Sequence, residues 1–174
     1  MDLALLVLRL AAGLTLTVHG AQKLFGSFGG PGIDGFAGFL GSLGIRRPRP
    51  YAVLTGTAEF FGGICLALGL FTPVAAAATI GLMLSATLVV HASNGFFAAN
   101  GGYEFPMLLA AAAAAIALAG PGRFSLDNAL DLGMATEGWS AAAIAIGVLA
   151  AVIAAIGQRS QARRNQRAGG MRTA

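Results

Sequence analysis

Apolar residues in this chain do not alternate with polar ones at the period of a half-buried helix or strand. They run instead in five stretches, at about Leu3–Leu24, Tyr51–Phe71, Val74–Ala92, Tyr103–Ala119 and Trp139–Gly157, almost free of ionisable side chains. A helix that crosses a bilayer needs about 20 mainly apolar residues, so the pattern predicts membrane helices. The fourth stretch is short by that rule. It and the fifth are alanine-rich and insert less strongly than leucine-rich spans. Trp139 and Arg159 bracket the fifth at a separation of about 30 Å of helical rise, which suits an aromatic anchor at one interface and a basic anchor at the other.

Two segments between the stretches carry helical periodicity of their own. Over 34–44, Phe36, Phe39, Leu40 and Leu43 repeat at i, i+3, i+4, i+7 behind Asp34 as an N-cap, which predicts a short amphipathic helix at the membrane surface. Between Gly120 and Gly138, Leu126 and Leu130 share one face and Asp127 and Asp131 a neighbouring one. This segment too is predicted to lie flat, on the opposite side.

Composition agrees with the pattern. The chain is 56% hydrophobic and 10% charged, with mean hydropathy +0.76, a balance that a water-soluble domain could not cover with polar surface. The prediction is an all-α integral membrane protein. The N-terminal stretch lacks a basic leader and is interrupted by Arg9, so it reads as a retained helix rather than a cleaved signal. A single Cys65 excludes an intramolecular disulfide and any cysteine-based zinc or iron–sulfur site, and a redox role then needs a bound carrier or a partner.

The net charge of +4 does not point to nucleic acid, because five of the eleven basic residues lie in the tail, at Arg159, Arg163, Arg164, Arg167 and Arg172. With five spans, one side receives those five plus Lys23, Arg46, Arg47 and Arg49, while the other receives Arg123, with Arg9 inside a helix near it. The positive-inside rule then predicts a multi-pass plasma-membrane protein with the tail cytoplasmic and the N-terminus outside.

The few ionisable residues inside the stretches converge. His19, Lys23, Glu59, His91 and Glu104 all fall at ends that a five-pass topology puts on one side. A charged group in a membrane helix costs roughly 2.5–3.5 kcal/mol at the centre and less near the ends, so several persist only by pairing or by lining a polar cavity. His19 and Lys23 are four apart on one helix face, with Gln22 beside them. Lys23 also reads as a snorkelling anchor. Gly56 and Gly63 flank Glu59 on one stripe, which turns the carboxylate toward the bundle. Glu104 and Pro106 open the fourth span, where a carboxylate also suits a helix N-terminus. Two histidines and two glutamates form a metal shell by ligand type, but no pair has a ligating spacing, and no metal is assigned. On the opposite side, Arg9 needs a carboxylate or carbonyl partner, and Asp127 or Asp131 is nearest in depth. A structural clasp of Arg9, Asp127 and Arg123 is expected there.

Leu8-Arg9-Leu10 followed by His19-Gly-Ala-Gln-Lys-Leu-Phe25 resembles the opening helix of the DoxX family. The later landmarks keep the family's order: Ala58-Glu59-Phe60-Phe61-Gly62-Gly63, Leu68-Gly69-Leu70-Phe71-Thr72-Pro73, His91 before Gly95-Phe96-Phe97, Gly102-Tyr103-Glu104-Phe105-Pro106, and Gly120-Pro-Gly-Arg-Phe-Ser-Leu-Asp127. The resemblance implies a four-helix transmembrane bundle over 1–130, to which 131–157 adds a fifth C-terminal transmembrane helix and 158–174 a basic, disordered cytoplasmic tail. The family is similar to the small subunit of archaeal thiosulfate:quinone oxidoreductase, and its actinobacterial members look like membrane partners of thiol- and superoxide-handling proteins.

The expected function is that of a membrane subunit of a redox system, an oxidoreductase subunit linked to sulfur or oxidative-stress chemistry. It binds a quinone headgroup at the cytoplasmic mouth through His19, Gln22, Lys23, Glu59, His91 and Glu104. His19, Glu59 and His91 carry the proton chemistry, because quinone carbonyls accept hydrogen bonds and reduction takes up protons. Lipids, a soluble redox enzyme and a second copy of the chain are the expected partners. The alternatives are a non-catalytic scaffold that tethers soluble redox enzymes and a small transporter or lipid-binding protein.

Overall fold

The computed structural model describes residues 1–134 and 136–170, with the side chains of 158, 159 and 161–170 outside the description. The described residues are helical and contain no strand. Helix α1, Asp2–Phe25, stops at Gly26, whose φ of 70° is the left-handed conformation that glycine adopts without strain. Helix α2, Gly32–Ser42, is the short segment expected at the membrane surface. Helix α3, Pro48–Leu68, begins three residues before the apolar stretch, because prolines in the first turn give up no intrahelical hydrogen bond there. It ends before Phe71 because Gly69, at φ 64°, turns the chain.

Helix α4, Thr72–Ala86, passes into a π-helical turn over Thr87–His91 and a 3-10 turn over Ala92–Asn94, and together these form one apolar span of 23 residues. Helix α5, Glu104–Ala119, is followed by the short α6, Leu126–Ala129, and by α7, Glu137–Gly170, whose apolar part is Glu137–Gly157. Among the described residues four helices are long and apolar enough to cross a membrane: α1, α3, α4 with its extension, and α7. The shorter one is α5, at 16 residues. Most of the basic tail expected at 158–174 lies outside the described side chains or residues.

Two helix pairs are drawn together by glycine. A Cβ on Gly13 would stand 2.6 Å from the Gly63 carbonyl oxygen, and one on Gly63 would stand 2.6 Å from the Thr17 nitrogen, so α1 and α3 meet backbone to backbone. Gly20 lies against Phe60 in the same way. In the second pair, α4 meets α7 where a Cβ on Gly147 would stand 2.7 Å from Ile80. Between lipid and protein there is little hydrophobic difference, so close van der Waals approach through small residues is what holds such helices together. Buried alanines at 75, 76, 77, 110 and 117 with Leu16, Leu66 and Ile116 fill the centre.

Two expectations are corrected. Asp34 does not cap α2: Pro31 precedes the helix, and the Asp34 carboxylate, in the first turn, instead pairs with Arg49 at 2.5 Å. The segment after Gly120 is not a flat amphipathic helix: its helical part is only Leu126–Ala129. Asp127 is buried at 2% exposure while Leu130 is 59% exposed, because the carboxylate is drawn inward by unpaired backbone donors at the start of α4.

The α1–α3 contact has a direct test. In detergent, Gly13→Val is expected to lower stability by about 1–3 kcal/mol, the usual range for overpacking, whereas Gly62→Ala, which faces open space, leaves the melting temperature unchanged. Equal melting temperatures for the two variants would contradict the packing described.

Candidate functional site

The helices part toward one end of the bundle and enclose a cavity of about 910 Å³. His19 and Lys23 reach it from α1, Glu59 from α3 and His91 from the π-helical turn of α4. The apolar lining comes from α2, α4, α5 and α7, among them Phe36, Leu82, Met83, Phe105 and Ile153. The π turn carries an extra residue in a widened helix, a feature frequent at functional sites.

Lys23 and Glu59 form the polar centre. The ammonium nitrogen lies 2.5 Å from each carboxylate oxygen. Glu59 is buried at 4% exposure, while the Lys23 side chain keeps 23%. Gly56 makes the approach possible, since a Cβ there would meet Leu24 at 2.9 Å and the Lys23 Cβ at 3.5 Å. The same ammonium lies 4.9 Å from the centre of the Phe36 ring, so it also holds α2 over the cavity by a cation–π contact.

The two imidazoles are placed differently. His19 packs against the Phe105 ring at 5.0 Å between centroids, and among the described residues its ring nitrogens make no hydrogen bond. The Nδ1 of His91 lies 2.6 Å from the Gly101 carbonyl oxygen. A carbonyl only accepts, so Nδ1 carries the hydrogen, and Nε2 is an acceptor when the ring is neutral and a donor when it is protonated. The cavity therefore offers free polar groups at His19, at Nε2 of His91 and at the hydroxyl of Tyr51, which also has no partner among the described residues.

Two of the expected site residues stand apart. Gln22 donates to the Phe28 carbonyl at 3.3 Å, and Glu104 accepts from the Ala98 backbone N–H at 2.9 Å on an exposed loop; neither lines the cavity. Glu104 thus orders the connection between α4 and α5. Tyr51 and Thr55 were not expected in the lining, yet with Glu59 they sit at i, i+4, i+8 on one face of α3, a stripe visible in the sequence. Thr55 bonds back to the Tyr51 carbonyl at 2.8 Å and Ser85 to the Gly81 carbonyl at 2.6 Å, so neither hydroxyl is free. Among the described residues no three His, Cys, Asp or Glu side chains converge on a metal-sized point.

At the opposite end, Arg9 and Asp127 are buried at 1% and 2% exposure. Both lie against Gly69: Arg9 through its guanidinium, Asp127 through its N–H, which donates to the Gly69 carbonyl at 2.8 Å. No ion pair joins them among the described residues. Arg9 donates to the Phe124 carbonyl, leaving Nε and Nη1 without an acceptor, and the Asp127 carboxylate accepts from the N–H groups of Phe71 at 2.6 Å and Thr72 at 2.8 Å. The expected clasp is therefore made by backbone groups, with Asp127 capping α4 where orphan donors and the helix dipole favour an anion. Arg123 is not inside it. Its side chain is exposed over the Phe124 ring, and its N–H donates to Asp2 at 3.1 Å.

A family model described as DoxX matches residues 4–92, slightly more than half of the chain. The matched region holds His19, Lys23, Glu59 and His91; α5 and α7, which complete the cavity, lie beyond it. No similar protein was found among curated proteins, and none among solved structures.

The Lys23–Glu59 pair predicts an asymmetry. Lys23→Met strands a buried carboxylate and is expected to destabilise the detergent-solubilised protein by about 3–5 kcal/mol. Glu59→Gln strands an ammonium that still reaches water, and is expected to do less. The double variant should recover most of the loss in a denaturation cycle; additive losses would show that the two side chains do not interact.

Proposed function

Because the chain belongs to the DoxX family of membrane proteins, we propose that it is the membrane subunit of a redox system and binds a quinone headgroup in the cavity at His19, Lys23, Glu59 and His91. The observation that carries this reading is the composition of that one cavity: two half-buried imidazoles beside an ion pair whose carboxylate is buried, walled elsewhere mainly by apolar side chains.

These groups fit a quinone. Its ring carbonyls are acceptors, and the free donors the cavity offers are the Tyr51 hydroxyl, an N–H of His19 and, once protonated, Nε2 of His91. Bound quinone supplies two-electron carrier chemistry that no side chain of this protein performs. The residues supply the rest. His19 and His91 give or take protons at the ring oxygens. Glu59, whose carboxylate accepts from the Lys23 ammonium, relays protons: it takes one up from water that enters the cavity and passes it to an imidazole that has given its own. Lys23 stabilises negative charge that develops beside it. The electrons come from a reduced sulfur compound or a soluble redox partner at the same face.

His19→Gln, His91→Gln and Glu59→Gln keep approximate shape and remove proton transfer. Each is expected to lower quinone-linked turnover by about 10²-fold or more, and the two histidine changes to weaken quinone binding by several-fold, with the detergent melting temperature reported alongside. Wild-type binding and turnover in all three would overturn the proposal.

The proposal places the cavity on the cytoplasmic side of the plasma membrane, following the excess of basic residues there. In a Cys65→Ser background, a cysteine replacing the exposed Ser42 on α2 should resist a membrane-impermeant thiol reagent in intact cells. One replacing the exposed Ala129 should be labelled. The reverse pattern would invert the orientation.

A further inference from the structure

Helices α4 and α7 touch in the middle of the bundle and separate toward the site. A Cβ on Gly81 would meet Ala150 at 3.3 Å, whereas one on Gly157 would meet nothing within 4 Å. The cavity occupies the gap. Ile153, Ala154 and Gly157 line it and are at the same time exposed, Ile153 at 61%. A residue that lines a cavity while remaining exposed marks its rim, and this rim lies within the apolar part of α7, Glu137–Gly157. The cavity therefore opens sideways, beside a stretch of α7 that is apolar enough to lie in a membrane.

We infer that this opening is a lateral portal for a long apolar chain, so that the ligand class is a chain-bearing quinone whose chain leaves the cavity over Ala154 and Gly157. The inference rests on the quinone reading of the polar end. Three features support the chain. The volume of about 910 Å³ is near the top of the range, about 300–1,000 Å³, that encloses a drug-sized ligand, far more than a single ring occupies. His19, Lys23, Tyr51 and Glu59 stand at the α1–α3 side and His91 at the end of the π turn, whereas Leu82 and Met83 of α4, Val90 of the turn and Ile153 of α7 offer only hydrocarbon. Beside Ile153, the rim residues of α7 are small: Ala150, Ala154 and Gly157 fall at i, i+4 and i+7, so that along this line the backbone of α7 rather than a bulky side chain bounds the opening. The portal residues lie outside the family match at 4–92, which makes the portal a property contributed by the C-terminal helix of this chain.

The test compares two probes on the full-length protein in detergent, a decyl-substituted benzoquinone and the same ring bearing a methyl in place of the decyl chain. The wild type is expected to bind the decyl probe about tenfold more tightly or better, since each buried methylene adds to affinity. Ala154→Phe and Gly157→Leu place side chains in the opening. Each is expected to erase the preference by raising the Kd of the decyl probe while leaving that of the methyl probe unchanged. Val152→Phe, on an exposed face of α7 outside the lining, is expected to keep it. Equal Kd values for the two probes in the wild type, or a preference retained by both portal variants at wild-type melting temperature, would overturn the portal and leave the headgroup site standing. Failure of the wild type to bind either probe would overturn the quinone reading and the portal with it.

Discussion

The backbone contact between α1 and α3 is the constraint on which the rest of the site depends. Gly13 and Gly63 have no side chain to hold the helices apart, and Gly20 and Gly56 extend the contact toward the cavity. At that spacing Lys23 and Glu59 lie within hydrogen-bonding distance. Were the axes separated by ordinary side chains, two charges would stand apart in a medium that solvates neither, and each would cost several kcal/mol. The glycines set the distance, and the distance makes the ion pair tolerable.

The pair in turn organises its surroundings. Lys23 is shared between the Glu59 carboxylate and the Phe36 ring, so the surface helix α2 is tied to the same charge that neutralises the core. Asp34 and Arg49 make a second, exposed tie between α2 and α3, where solvent screening leaves little energy. The opposite end of the bundle is closed differently, by Asp127 folded into the start of α4 and by Arg9 reaching the carbonyl of Phe124. One end is held by side-chain charge, the other largely by backbone groups.

Much of this was legible in the sequence. Apolar length located the apolar helices α1, α3, α4, α5 and α7, and the Gly56–Glu59–Gly63 stripe indicated which way Glu59 points, because small residues mark a close helix neighbour. Depth alone was a poorer guide. It grouped Glu104 with the cavity residues, as adjacency to His19 and Lys23 did Gln22, though a side chain at the right height still has a direction around the helix, and theirs are taken by the Ala98 N–H and the Phe28 carbonyl. Arg9 and Asp127 were matched by charge, yet backbone partners of both came from loops whose path no periodicity reports. The walls from α2 and α7 were also hidden, since which neighbours enclose a space is decided by packing between segments far apart in sequence.

Alanine and glycine dominate the surfaces that meet in this bundle, with Ala75, Ala76, Ala77, Ala110, Ala113 and Ala117 buried along α4 and α5. Neither residue has a rotatable side chain. Ordering them on assembly forfeits no rotamer entropy, which leaves backbone freedom as the main entropic loss of bringing these helices together. The same lack of rotamers acts where alanine borders the cavity, at 86, 98, 150 and 154. Leu82 and Met83 in its wall can move into the space by a change of χ angles, whereas those alanines advance only if the backbone that carries them moves.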